Sequence, residues 1–134
     1  MLFRHELAAK VLAGTKTQTR RLAHRGERVC RDDGGDIVSV TRPRTEKRTA
    51  RAIRFRVGQT YAVQPGRGRQ GVGFVRLTAI REQSLLDISQ EDARAEGFQN
   101  ATDFVLAFYQ INRGTVGMGT NPRVFVLTVE AVKP

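Results

Sequence analysis

The stretch Gly14-Thr-Lys16-Thr-Gln-Thr19-Arg20-Arg21-Leu22 sets a lysine, a threonine hydroxyl and a pair of arginines close together. Lysine beside a hydroxyl supports two kinds of chemistry. As an ammonium it binds an anion; deprotonated, it is a base for the hydroxyl acting as nucleophile. The second role needs a depressed lysine pKa, and burial together with the charges of Arg20 and Arg21 pushes in that direction. If the segment is extended after Lys16, Thr19 and Arg21 project to one face, because side chains alternate along a strand. Lys16 reaches that face from the turn before it. A plain basic turn is the other reading of the same residues.

A second group is Gly66-Arg67-Gly-Arg69-Gln-Gly71, which matches G-x-G-x-x-G. The dinucleotide fingerprint needs a helix after these glycines, and GFVRLTAI reads as a strand, so no helix amino terminus is available for a pyrophosphate. What remains is a hairpin connection whose Arg67 and Arg69 could meet a phosphate. Tyr61 and Tyr109 are the aromatic side chains that could present a ring for base stacking; the phenylalanines fall on faces expected to be buried. His5 and His24 lack the neighbours of a catalytic triad. No Cys/His spacing suits zinc, so neither metal nor cofactor is expected.

These groups need elements to hold them. Leu7, Val11 and Leu12 recur at helical spacing, and Gly14 follows where a left-handed cap residue sits, which predicts a short helix over 6–13. Residues 57–65 and 72–80 predict a hairpin, with the glycine-rich loop between its strands. Ser89-Gln-Glu-Asp92 has the form of a capping box, and the helix it opens closes at Gly97 or Asn100. Thr102 is a candidate cap for the next helix, DFVLAFYQIN. RVFVLTVEAV, residues 123–132, is the clearest strand in the chain. Between them, residues 23–56 are rich in Arg, Gly and Asp, and their only clear strand pattern is 36–41. This segment is expected to be a long, partly mobile basic insertion, its Arg42, Arg44, Arg48, Arg51, Arg54 and Arg56 either lining a nucleic-acid groove or solvated. The order of elements predicts an α+β domain with a small, largely antiparallel sheet or barrel.

The 134 residues suit one domain. Lys and Arg number 23 against 13 acidic residues, a formal net charge of +10. An excess of this size costs self-repulsion, and neutralising phosphates is its commonest use, so RNA, DNA or a phosphorylated ligand is the expected partner. The single cysteine, Cys30, forms no internal disulfide. No apolar run approaches the roughly 18 residues of a membrane span, and the amino terminus lacks the apolar core of a signal peptide. A cytoplasmic protein is expected.

Gly14-x-Lys16-x-x-Thr19-x-Arg21 resembles the GxKxxTxR signature of the ASCH domain, a family related to the PUA-like RNA-binding barrels. VGQTYAVQPG, SQEDARAEGF, FVLAFYQIN and PRVFVLTVE are similar to that family in the same order, so the resemblance covers most of the chain outside residues 23–56. It implies a small PUA-like β-barrel with flanking helices around a cleft, and a role in binding RNA or a modified nucleoside or nucleotide. Some bacterial members are amidohydrolases that deacetylate N4-acetylcytidine with a lysine, a threonine and a glutamate. Carried over by motif, these fall on Lys16, Thr19 and Glu96, with Glu91 close by. Lys16 would take the proton of Thr19, Glu96 would orient the lysine, and Arg21 would fix the ligand. Arg20, Arg21, Arg67, Arg69 and Tyr61 are the expected nucleic-acid contacts. Binding is the first reading, hydrolysis the alternative and ribonuclease activity a further one, although no histidine pair supports the usual acid–base chemistry. The long basic insertion and the PGRGRQG loop depart from the small hydrolases.

Overall fold

The structure, a computed structural model, describes residues 1–44 and 47–133, of 47–49 the backbone only. In chain order it contains α1 (His5–Ala13), β1 (Gln18–Leu22), β2 (Arg28–Arg31), β3 (Ile37–Arg44), β4 (Lys47–Arg56), β5 (Thr60–Val63), β6 (Gly73–Ser84), α2 (Gln90–Ala95), α3 (Ala101–Ile111) and β7 (Arg123–Val132). The strands form a seven-stranded sheet in the order β1-β7-β6-β3-β2, with β4 paired to β3 and β5 to β6. Every strand pair is antiparallel.

β7 sits inside the sheet, and its sequence explains why. Phe125, Leu127 and Val129 face one hydrophobic cluster, which they share with Phe3 and with Leu7, Ala8 and Val11 of α1. Val124 and Val126 face a second cluster, containing Phe104, Phe108 and Tyr109 of α3. A strand buried on both faces reads as an unbroken apolar run, and VFVLTV is one. α1 thus covers one face of the sheet, and α2 and α3 cover the other.

The expected barrel is corrected: β1 and β2 are the ends of the sheet and do not pair. The free edge of β1 engages other groups instead. Thr17 N–H donates to Ala95 O at the end of α2 (2.8 Å), Gln18 O accepts from Lys16 Nζ (2.7 Å) and Leu22 O accepts from Arg54 Nη1 (3.0 Å). These contacts occupy part of the edge that β1 presents.

Residues 23–56 are also corrected. Among the described residues the segment holds three strands, β2, β3 and β4, paired antiparallel, where the sequence pattern predicted one at 36–41. It joins the core through Ile37, Val40 and Phe55. Arg51 donates to Gly26 O and Thr41 Oγ1, and Arg54 to Leu22 O and Glu27 Oε1, so these two arginines pin the 23–27 loop. Arg42, Arg44 and Arg56 are exposed, and the side chain of Arg48 lies outside the described residues.

Helix ends follow local chemistry. Gly14 caps α1 at φ 81°, a left-handed conformation that strains any residue with a side chain, and Ser89 accepts from Asp92 N–H at the start of α2. α3 starts two residues earlier than expected: Asn100, not Thr102, accepts from Asp103 N–H.

Candidate functional site

Lys16 and Glu96 are brought together by the end of α2. The Thr17–Ala95 hydrogen bond docks the start of β1 against that helix, and β1 is registered on β7 with Thr19 opposite Leu127 and Arg20 opposite Val126. Gly97, at φ 93°, turns the chain sharply after Glu96. Its carbonyl accepts from Lys10 Nζ at 2.7 Å, which ties α2 back to α1.

Lys16 Nζ then donates to three oxygens: Gln18 O at 2.7 Å, Glu96 O at 2.8 Å and Glu96 Oε1 at 2.8 Å. The other carboxylate oxygen, Oε2, accepts from Arg20 Nη1 at 2.8 Å. Lys16, Arg20 and Glu96 are 3%, 5% and 2% exposed, so this is a buried ionic network. It extends outward through Arg20, which also donates to Gln83 Oε1, Gln18 Oε1 and Asp92 Oδ2; Asp92 in turn accepts from Arg81 at 2.7 Å. Burial pushes the Lys16 ammonium below its ordinary pKa, aided by Arg21 and Arg20 and opposed by Glu96. For Asp92, burial acts upward, but hydrogen bonds from Gln18 and Arg81 and the charges of Arg20 and Arg81 outweigh it and hold the group below the usual carboxylate value.

Beside this network lies a cavity of about 440 Å³. Its walls come from the amino-terminal segment and α1 (Leu2, Phe3, Arg4, Leu7), from β1 and its approach (Lys16, Thr19, Arg20, Arg21, Leu22), from the 65–67 loop, from Glu96 and Phe98, and from α3 with Asn112. It opens at the sheet edge, where the helices of the two faces meet. Thr19 is 4% exposed and its hydroxyl makes no hydrogen bond among the described residues. Arg21, the next residue on that face of β1, lies over the Phe3 ring at 5.0 Å and donates from Nη2 to Leu2 O at 2.7 Å. Its Nε is buried without a partner. Burial draws its pKa down to about 10, with Glu96 opposing and Arg54 adding, so it is cationic at neutral pH.

Of the residues singled out from sequence, Lys16, Thr19, Glu96, Arg20, Arg21 and Arg67 line this one cavity. Arg69 and Tyr61 do not line it; the Tyr61 hydroxyl accepts from Arg56 N–H, and its ring packs on the first hydrophobic cluster. Tyr109 is buried in the second cluster and Glu91 is exposed on α2. Arg20 turns inward, so its fork is occupied by protein acceptors instead of facing a ligand. Sequence reasoning missed Gln18, Gln83 and Asp92 as its partners, and Arg4 as a rim cation. The period-two alternation of Gln18 and Arg20 toward α2 was the signal available for the first. It also assigned Phe98, Phe104 and Phe108 to the core alone, whereas all three also line the cavity.

An open antiparallel sheet, helices on both faces and a cationic cleft at the edge strand define an α+β cleft domain. The chain has the fold of ASCH domains. It is similar to the crystal structure of an ASCH domain from Lactobacillus crispatus JV V101, at a TM-score of 0.64 and 11% identity over 95% of this chain and 70% of that one. It is likewise similar to a protein of the DUF984 family from Enterococcus faecalis V583, at a TM-score of 0.61 and 17% identity over 95% of this chain and 67% of that one. No protein-family model matches the sequence, and no curated protein matches it. Among the described residues no helix is long and apolar enough to cross a membrane.

Proposed function

We propose that this chain is a nucleic-acid-binding ASCH domain whose cavity admits one nucleotide, from a single-stranded RNA segment or as a modified nucleotide. The observation that carries the reading is the cavity itself. Its roughly 440 Å³ lies within the range of small-ligand sites. Its lining includes the aromatic Phe98, Phe104 and Phe108, with Arg21 on the wall and the exposed Arg4 and Arg67 at the rim. An apolar lining suits the face of an unstacked base and a cationic rim suits its phosphates. The net charge of +10 supplies the long-range attraction, and the resemblance to ASCH domains points the same way.

Binding takes precedence over catalysis because of how Lys16 is used. An amine donating to three oxygens is an ammonium, with no lone pair left to accept the Thr19 proton. The test is binding of a short single-stranded RNA followed by fluorescence anisotropy across a salt series. Affinity should fall linearly on a log–log plot as counterions are released. An affinity indifferent to salt, or no binding at all, removes the reading.

A second reading, amide hydrolysis, is favoured by one observation: the buried Thr19 hydroxyl faces the cavity with no partner, next to a lysine whose pKa burial has lowered. Deprotonated Lys16 would take the Thr19 proton as Oγ1 adds to the acetyl carbonyl of N4-acetylcytidine. The C–N bond breaks, the cytidine amine leaves with that proton, and water cleaves the acetyl-threonine to acetate. Activity would then rise with pH through a Lys16 value below the ordinary 10.5 and vanish in Thr19→Val. Incubation with N4-acetylcytidine without release of cytidine excludes that substrate. A ribonuclease is not supported, since His5 and His24 are exposed and neither lines the cavity.

A further inference from the structure

We propose that Arg21 and Thr19 form a phosphate subsite inside the cavity, so that the ligand is bound through a phosphate group and a neutral nucleoside is not its natural occupant. The inference rests on the cavity being the ligand site. Lys16 and Arg20 each pair with Glu96 at 2.8 Å, and Arg20 pairs again with Asp92 at 3.1 Å. Glu27 is engaged by Arg54 at 2.7 Å. Arg21 has no carboxylate partner among the described residues, although it lies on the same short strand and its Nε is shut away from water. A cation held this way is costly unless an anion completes it.

The direction of the unused groups agrees. Thr19 and Arg21 are two positions apart on β1, hence on one face, with a repeat of about 6.7 Å. A tetrahedral oxyanion at this wall would accept from Thr19 Oγ1 and from Arg21 Nη1, a nitrogen with no partner among the described residues, since Nη2 is taken by Leu2 O and Nε is buried. Both residues line the cavity, and the exposed Arg4 and Arg67 stand on its rim. A ligand carbonyl could accept from one N–H, but it would leave the charge of Arg21 unanswered. A phosphate answers both. Guanidinium and phosphate also match in geometry, which a carbonyl does not exploit.

The test uses the whole chain and inorganic phosphate as the probe. The Nε–H resonance of Arg21, assigned by its absence from Arg21→Lys, should shift and saturate as phosphate is added at constant ionic strength in chloride. The Thr19 amide should move along the same curve. In Arg21→Lys, which keeps the charge and loses the fork, the phosphate affinity read from Thr19 should weaken by roughly tenfold. An Arg21 resonance unmoved by phosphate, or equal affinity in wild type and Arg21→Lys, overturns the subsite. A short single-stranded RNA is titrated in parallel. RNA binding without a phosphate response overturns the subsite alone, whereas a phosphate response without RNA binding keeps the subsite and removes the nucleic-acid reading.

Discussion

The side chain of Lys16 and the carboxylate of Glu96, separated by 80 residues in sequence, meet at 2.8 Å in the interior of the protein. Each depends on the other. Glu96 offsets two buried cations at once, and among the described residues Lys16 is the only charge on Oε1.

Replacing Glu96 by glutamine keeps the shape and removes the charge that Lys16 and Arg20 share. Breaking a buried pair from one side typically costs about 3–5 kcal/mol, because the remaining charge is left uncompensated. Chemical denaturation should show Glu96→Gln losing stability on that scale. A loss under about 1 kcal/mol would mean that water reaches the pair and the network is not dry.

Asp92 sets the acid limit of the same network. Its pKa in the fold is held below 3.8, so its contribution to stability is complete above that value and is lost as pH falls through the depressed one. Asp92→Asn should therefore be less stable at neutral pH and show a shallower fall in Tm below pH 3.8 than the wild type. Parallel acid limbs in the two proteins would take Asp92 out of the network.

Gly97 holds Glu96 in place through a left-handed backbone. At φ 93° any β-carbon is strained, and here it would also lie 3.2 Å from Lys10 Cδ and 3.3 Å from Leu7 Cδ2. Gly97→Ala should lose more than about 1 kcal/mol. If the proposed function is right, RNA affinity should fall with it, because relieving the strain moves Glu96.

The rim and the β3–β4 pair should separate by salt. Arg67→Ala, on the cavity mouth, should lower the salt slope of RNA binding by about one unit without changing Tm. Arg42, Arg44 and Arg56 are exposed on β3 and β4 and are replaceable by serine without touching Arg54, which lies over the Phe55 ring. If their triple substitution leaves the RNA salt slope unchanged, the nucleic acid does not track across that face.

Several elements were legible from residue patterns. α1 ends at Gly14 as its spacing and cap predict, and β7 appears where the apolar run requires it. The Ser89 cap is present, but only half of the capping box is used. Asp92 turns its carboxylate to Gln18, Arg20 and Arg81 instead of back to the helix start. β4 escaped notice because arginines interrupt its alternation. Register shifts at Val40/Thr41 and Pro43/Arg44 further blur the period of two along its partner strand. The long side chains that made residues 23–56 look like a solvated arm are partly structural, since Arg51 bonds Gly26 O in the neighbouring loop and Arg54 bonds Leu22 O at the end of β1.

Local pattern by itself determined the helices, the doubly buried strand, the basic character of the chain and the closeness of Lys16, Thr19 and Arg21, because those depend on neighbours within a few positions. It also carried the likeness to ASCH domains. Only the tertiary structure decided which charges answer one another. Arg20 and Arg21 are adjacent and chemically identical in the sequence, yet the pleat of β1 sends one toward Glu96 and Asp92 and the other toward Phe3. That division leaves Arg21 at the cavity wall without a carboxylate partner among the described residues, and it arises from packing between segments far apart in the chain, which local spacing cannot encode.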